Sequence, residues 1–202
     1  MKKTGLLILA AVMVLGLSAC SGSNETNQSQ TEAVTKAEPS VVTVKTLNGD
    51  KKEVDLEVPF DPKRVAVMDM AALDILDQLG LEDRVVGASD TSLDYLEKYM
   101  EKEQVAALGT IKEPDVIFIG GRLAKSYDAL NEIAPVVYLS IDTQLGTLES
   151  VRKNAGIIAS IFGLEEQADQ LLEGFEERLA ALAEFSTDKT AIVGMVTSGG
   201  FN

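Results

Sequence analysis

Short apolar segments and helical patterns alternate along the chain between residues 64 and 140, and this alternation constrains the fold more than any other feature. Apolar runs typical of buried strands cover 64–68, 84–88, 116–120 and 136–140. Patterns typical of amphipathic helices cover 71–79, 93–101 and 124–133. Strands that alternate with helices predict an α/β domain with a mostly parallel sheet.

The segments on either side of this region are also regular. Residues 41–58 alternate in polarity around an Asn48-Gly49 turn, which predicts an antiparallel hairpin. Helical patterns return over 146–162 and 164–185. The second contains no proline and would be about 33 Å long at 1.5 Å per residue. A further strand of the buried type is predicted over 190–196.

The first twenty residues have the features of a secretory signal. Lys2 and Lys3 precede an uncharged apolar run, which ends in Leu17-Ser-Ala-Cys20. This ending resembles the lipobox of bacterial lipoproteins, in which the cysteine is lipidated, so we expect Cys20 to carry the lipid (palmitate) that holds the chain to the membrane. The alternative is an ordinary cysteine beside a plain cleavage site. Residues 21–40 are polar, as expected of a disordered tether.

Composition narrows the classes of function. The chain has 32 acidic and 18 basic residues, a formal net charge of −14, so it cannot attract nucleic acid through bulk charge. It contains no histidine, which removes the commonest protein ligand of zinc and haem iron and the usual general base. No nucleophile–base pair, phosphate loop or paired carboxylates stand out. We therefore expect no metal site, no cofactor and no enzymatic activity.

Arg122 is the leading candidate for ligand contact. It follows directly on the strand Val116-Ile-Phe-Ile-Gly-Gly121, just before a predicted helix. In open α/β sheets, ligands bind outside the carboxyl ends of the strands. A guanidinium there suits an anionic, oxygen-rich ligand, which it can hold with two parallel hydrogen bonds. The alternative is a structural arginine that caps a loop or pairs with Asp128.

Three further residues are predicted at the same edge of the sheet. Lys112 lies in the loop 109–115 and is a second candidate cation, although most loop lysines are solvated. Asp69 and Met70 follow the first strand of the alternating region. They are candidates for ligand contact, and the alternative is that they form the N-terminal cap of the next helix.

Several of these motifs together resemble the substrate-binding lipoproteins of bacterial ABC importers for ferric siderophores, and most closely the catecholate-type binders of Gram-positive bacteria. The similar stretches are Arg64-Val-Ala-Val-Met-Asp69, Leu73-Asp-Ile-Leu-Asp-Gln-Leu-Gly80, Gly109-Thr-Ile-Lys-Glu-Pro-Asp115, Ile117-Phe-Ile-Gly-Gly-Arg122 and Val193-Gly-Met-Val-Thr-Ser-Gly-Gly200. The resemblance implies two α/β lobes joined by one long helix, with the ligand in the cleft between them.

The division of the chain that this resemblance implies has five parts. They are a signal peptide (1–20), a tether (21–40), an N-terminal α/β lobe (41–163), the connecting helix (164–186) and the first strand of a truncated second lobe (187–202). The resemblance also implies that Arg122 contacts an anionic ferric chelate whose iron is held by the siderophore. The implied partners are an ABC permease and, through Cys20, the extracellular face of the cell membrane.

The sequence departs from that family pattern in two places. The family has a helix between the Lys-Glu-Pro-Asp loop and the strand that leads to Gly-Gly-Arg, whereas Asp115 here runs directly into Val116. A strand over 105–108 would then be joined to the next strand by too few residues for a parallel crossover. The second lobe is also expected to be essentially absent after Asn202, which would weaken ligand binding by a single lobe.

Other functions remain open at this level. Within binding proteins, the ligand could instead be cobalamin, haem or a bare metal ion, although the absence of histidine disfavours the last two. From a different class, the chain could be a structural or interaction lipoprotein that displays one α/β lobe to a partner.

Overall fold

One mixed sheet of six strands organises the chain, with the strands in the order β2-β1-β6-β5-β3-β4. The computed structural model describes residues 40–91, 93–101, 113–187, 189–190, 196–197 and 200–201. The strands are β1 (Val41–Leu47), β2 (Glu53–Pro59), β3 (Val65–Val67), β4 (Val85–Ala88), β5 (Val116–Ile119) and β6 (Val136–Tyr138). β3 is parallel to β4 and β5, and β5 is parallel to β6. The predicted α/β class with a mostly parallel sheet is confirmed.

Five α-helices and three 3₁₀ turns are described around this sheet. The helices are α1 (Met70–Gln78), α2 (Lys98–Glu101), α3 (Tyr127–Asn131), α4 (Thr147–Phe162) and α5 (Glu165–Ser186). The 3₁₀ turns are Glu82–Arg84, Asp94–Leu96 and Gly121–Ser126. None of the helices described is long and apolar enough to span a bilayer.

The N-terminal hairpin forms as predicted and closes through an asparagine. β1 and β2 pair antiparallel from Val41 opposite Pro59 to Leu47 opposite Glu53. In the turn, the side-chain oxygen of Asn48 accepts hydrogen bonds from the backbone N–H groups of Asp50 and Lys52, both at 3.0 Å. β1 then joins the parallel strands by pairing antiparallel with β6 at Leu47 and Tyr138.

β5 is buried on both faces, which explains its run of four large apolar residues. Val116 and Phe118 face the main core, which β3, β4, α1 and α4 also line. Ile117 and Ile119 face a smaller core on the side of α3. All four residues are at most 1% exposed. Such two-sided burial is expected for the interior strand of a parallel sheet covered by helices.

Two predicted helices are shorter than expected. Only Asp94–Leu96, a 3₁₀ turn, and α2 form within 93–101. Within 124–133, the structure has the end of the Gly121–Ser126 turn followed by α3. In both places the chain begins with the tighter 3₁₀ bonding, as in Leu123 N–H to Gly120 C=O at 3.0 Å, and such turns commonly begin α-helices.

Several predictions lie outside the described residues. They include the signal peptide with Cys20, the tether up to residue 39, the strand 105–108 and the loop residue Lys112. Of the strand 190–196, only Thr190 and Val196 are described. Val196–Thr197 (β7) pairs antiparallel with Gly200–Phe201 (β8).

Candidate functional site

A cleft of about 330 Å³ lies where the parallel strands β3, β4 and β5 end. The three strands are neighbours and run in the same direction, so the residues that follow them meet at one edge of the sheet. The lining residues are Met68, Asp69, Met70, Ala71, Ser89, Asp90, Gly120, Arg122 and Leu123. The fold therefore brings together three of the four residues proposed from sequence, while Lys112 lies outside the described residues.

Arg122 lies in the 3₁₀ turn Gly121–Ser126 that directly follows β5, and its side chain is exposed. Within the described part of the chain, no residue forms an ion pair or a hydrogen bond with its guanidinium. The alternative pairing with Asp128, which is described, is not formed. With respect to the described residues, the five N–H donors of Arg122 are thus available to a ligand in the cleft.

Asp69 forms the N-terminal cap of α1. Its Oδ1 accepts a hydrogen bond from the backbone N–H of Ala72 at 3.1 Å, so the capping role considered for this residue is observed. Met70, the first residue of the helix, is half-buried beside it. Contact of either residue with a ligand remains a prediction.

Of the two glycines before Arg122, Gly120 is explained by space and not by backbone conformation. Gly120 has φ −111° and ψ −177°, an extended conformation that any residue adopts. A Cβ atom at Gly120 would lie 2.8 Å from Cγ of Asp69 and closer still to its Oδ2. A Cβ atom at Gly121 would meet its nearest neighbour, the hydroxyl of Tyr138, at an ordinary 3.7 Å. Gly120 thus allows the carboxylate of Asp69 to pack directly on the turn that carries Arg122.

Asp90 is a charged residue of the cleft that the sequence reasoning missed. It follows β4 by two positions, and Ser89 before it donates its backbone N–H to the carbonyl of Val67 at 3.0 Å. Like Arg122, Asp90 is exposed and has no ion pair or hydrogen bond with a described residue. The signal was available, because Asp90 follows the second predicted strand and parallel strands end at the same edge.

Two other cavities have different chemistry. One of about 640 Å³ lies between α1, α4 and α5 and is lined mainly by aliphatic side chains, with Asp74 and Arg178 as its charged residues. Another of about 300 Å³ lies beyond the end of β6, and two of its three lysines, Lys45 and Lys153, form ion pairs with Glu53. Neither cavity contains a residue proposed from sequence.

Among the described residues, no group of three or more histidine, cysteine, aspartate or glutamate side chains could hold a metal ion. The alternative of a bare metal ion as ligand therefore gains no support from this part of the chain. The cleft, where the guanidinium of Arg122 has no partner among the described residues, instead suits a ligand that presents oxygen atoms as hydrogen-bond acceptors.

Comparisons with known proteins agree with this architecture. The sequence model of the family described as Periplasmic binding protein matches residues 65–199. The petrobactin-binding protein YclQ of Bacillus subtilis is 33% identical over 98% of this chain and 64% of its own length. The crystal structure of YclQ superimposes with a TM-score of 0.70 at 30% identity, covering 80% of this chain and 59% of YclQ.

Two further proteins are similar. One is an uncharacterized ABC transporter substrate-binding lipoprotein, YvrC of Bacillus subtilis, which is 27% identical over 88% of this chain and 56% of its own length. The other is the siderophore-binding protein BauB, solved with a complex of two acinetobactin molecules and ferric iron. BauB superimposes with a TM-score of 0.69 at 25% identity over 80% of this chain and 60% of BauB. The chain thus spans less than two thirds of the length of these relatives.

Proposed function

Because the chain belongs to the periplasmic binding protein family, we propose that it provides the ligand-binding lobe of a protein that captures an anionic ferric siderophore and delivers it to an ABC permease. The observation that carries the proposal is the guanidinium of Arg122, which has no partner among the described residues and lies in the cleft where β3, β4 and β5 end. The names of YclQ and BauB, which refer to siderophores, support the ligand class. The name of YvrC supports the transporter class.

The chemistry of the cleft suits a chelate whose iron is already coordinated. A ferric tris-catecholate presents negative charge on oxygen atoms, and these accept hydrogen bonds from a guanidinium in pairs. The protein then has to supply donors and positive charge, and it needs no iron ligand or cofactor of its own. Hydrogen bonds to charged groups contribute about 1.5–3 kcal/mol each, so one well-placed arginine changes affinity measurably.

Lys112 and Met70 complete the proposed ligand contacts. Met70 lies in the cleft beside Asp69, where its flexible thioether side chain can pack against the apolar rim of a bound chelate. Lys112 would add a second cation from the loop that precedes β5. Asp69 is proposed to act at the edge of the site, through the turn on which it packs.

The proposed location is the extracellular face of the cell membrane, with the chain held there by a lipid (palmitate) on Cys20. The support is the Leu17-Ser-Ala-Cys20 motif and the description of YvrC as a lipoprotein. Growth in labelled palmitate, followed by isolation of the wild-type chain and of Cys20→Ala, tests this part. Label on the wild-type chain alone is expected, and label on both or on neither would contradict it.

A second candidate function, display of a surface to a protein partner, is favoured by one observation. Helix α5 exposes a row of large apolar residues at helical spacing: Leu171, Phe175, Leu179, Leu182 and Phe185. Exposed apolar patches of this kind commonly mark interaction surfaces. The two functions predict different results in a ligand titration, because only the first requires a small chelate to bind in the cleft at the ends of β3, β4 and β5.

A calorimetric titration of the chain from residue 21 tests the proposed function. The ligands are a ferric tris-catecholate, a ferric hydroxamate, haemin and cyanocobalamin, and circular dichroism checks that the sample is folded. We expect saturable binding of the ferric catecholate. Saturable binding of haemin or cobalamin alone, or of none of the four ligands, would contradict the proposal and favour another ligand or the display of a surface.

A further inference from the structure

The cleft at the ends of β3, β4 and β5 holds two charges of opposite sign that do not neutralise each other. Arg122 and Asp90 both line it, and no ion pair within 4.0 Å joins them. Neither side chain bonds to another described residue. Opposite charges that share a cleft without pairing leave a positive side after β5 and a negative side after β4.

Asp69, the other carboxylate of the cleft, is already engaged. Its Oδ1 caps α1 through Ala72, and its Oδ2 packs against Gly120. Asp90 has no such structural role toward the described residues, because its turn is held by the hydrogen bond from the backbone N–H of Ser89 to the carbonyl of Val67. Of the two carboxylates, Asp90 is therefore the one available to a ligand.

A purely anionic ligand would use only the positive side of this cleft. Its negative groups would be attracted by Arg122 and repelled by Asp90, in a chain whose net charge is already −14. A ligand with a protonated amine some distance from its anionic centre would meet an opposite charge at each end. The carboxylate of Asp90 therefore favours the ligand with the protonated amine and disfavours the purely anionic ligand, and this difference in affinity is the specificity.

We propose that Asp90 is a specificity-determining residue that selects ferric chelates carrying a protonated amine, by binding the ammonium group while Arg122 binds the anionic iron centre. This inference rests on the proposed function and refines its ligand class to chelates of mixed charge. The ammonium donates hydrogen bonds to the carboxylate oxygens of Asp90. The step is one of binding only and involves no covalent change.

The test uses two synthetic ferric bis-catecholates that differ in one group. One has a linker with a secondary amine, and the other has the same linker with that amine acetylated, which removes its charge. Both are titrated calorimetrically into the chain from residue 21 and into Asp90→Asn, which keeps the size of the side chain. We expect the wild-type chain to prefer the amine chelate by about 5- to 20-fold, a range typical of one exposed charge pair or charge-assisted hydrogen bond.

Asp90→Asn should lose this preference by binding the amine chelate more weakly while its affinity for the acetylated chelate stays the same or rises. Arg122→Ala is the control, because it should weaken binding of both chelates by a similar factor. Equal binding of the two chelates by the wild-type chain, or a preference that survives in Asp90→Asn, would overturn this inference and leave the proposed function standing. Binding of neither chelate would contradict both.

Discussion

At the scale of single residues, the geometry of the site depends on Gly120, which has no side chain. Gly120 leaves room for the carboxylate of Asp69 to pack on the turn that carries Arg122. That carboxylate also caps α1 through Ala72. The contact between Asp69 and Gly120 thus connects the start of α1 to the start of the turn after β5. It holds together the two sides of the cleft that these segments form.

Gly120→Ala is predicted to separate these two edges. The added Cβ would force Asp69 away, and loss of an N-terminal cap costs about 1 kcal/mol. Urea denaturation should show a loss of about that size, and binding of a ferric catecholate should weaken because the turn with Arg122 shifts. Gly121→Ala is the matched control, since its nearest neighbour is 3.7 Å away. Equal stability losses in the two variants would show that the packing of Asp69 on Gly120 is not the cause.

Sequence reasoning was partly successful at this scale. The position of Arg122 at the carboxyl end of a buried strand follows from residues 116–122 alone. The capping role of Asp69 likewise follows from its place just before the helical pattern of 71–79. The reason for the glycine at position 120 could not be inferred from the neighbouring residues in the sequence. Its backbone conformation is ordinary, and the atom that excludes a side chain belongs to Asp69, a distant part of the chain.

At the scale of elements, the hairpin is attached to the parallel strands through one buried threonine. The hydroxyl of Thr46 donates to the carbonyl of Tyr138 at 2.9 Å and accepts from its backbone N–H at 2.8 Å. These bonds satisfy both backbone groups of Tyr138 where β1 and β6 pair through a single pair of residues. The side chain of Thr46 thereby supplies hydrogen bonds that backbone groups would supply in a longer pairing of β1 with β6.

Thr46→Val is predicted to destabilise the chain by at least about 2 kcal/mol. The methyl group preserves the shape, but two buried backbone groups of Tyr138 lose their partner, and each unsatisfied group costs about 1–3 kcal/mol. The free energy of unfolding in urea measures this effect. Thr43→Val, at an exposed position of the same strand, should change it little. A loss below about 0.5 kcal/mol in Thr46→Val would mean that water replaces the hydroxyl.

Element boundaries were predicted better for strands than for short helices. The hairpin and the strands near 65, 85, 116 and 136 follow from polarity and from runs of β-branched residues. The residues 93–101 have a helical pattern because the apolar residues Leu96 and Tyr99 are three positions apart, and both are buried in the structure. A spacing of three residues also fits a 3₁₀ turn, however, and apolar periodicity cannot separate the two over so few residues.

At the scale of the whole molecule, the fold class could be predicted because strand and helix alternate along the chain. The strand order β2-β1-β6-β5-β3-β4 could not, since it depends on which strands pair across long separations. The cleft shows the same limit. Arg122 was predicted from its own strand, and Asp90 could have been proposed by the same rule, but that both line one cleft depends on β3 lying beside β4 and β5.

The stability of the whole chain should depend on the ionisation of Asp74. Burial first, and the charge of Asp77 second, raise the pKa of Asp74 above 3.8. Between pH 3.8 and the raised pKa, the folded chain holds a proton that the unfolded chain has lost. The stability that the protonated side chain allows is therefore complete below pH 3.8 and is lost as the pH rises through the raised pKa. At neutral pH, the ionised side chain works against folding.

Asp74→Asn is accordingly predicted to stabilise the chain at about pH 7 and to have little effect at about pH 3. The gain should not exceed about 1 kcal/mol, because the side chain is partly exposed. Urea denaturation at the two pH values measures it. Asp77→Asn is the contrasting variant: Asp77 accepts from the hydroxyl of Tyr99 at 2.8 Å and pairs with Lys98 at 2.5 Å, so its loss should destabilise. A stabilisation by Asp74→Asn that is equal at both pH values would rule out ionisation as the cause.

The central claim is that Arg122 binds an anionic ferric chelate, and one comparison of affinities tests it most directly. A ferric tris-catecholate is titrated calorimetrically into the wild-type chain, Arg122→Ala and Lys125→Ala. Lys125 is an exposed residue of the same turn that does not line the cleft. Its replacement by alanine removes one positive charge, as Arg122→Ala does, and leaves the cleft unchanged. Arg122→Ala should bind more weakly by about 1.5–3 kcal/mol, roughly 10- to 150-fold, while Lys125→Ala stays within about twofold of wild type. Unchanged binding by Arg122→Ala, or an equal loss in both variants, would contradict the claim.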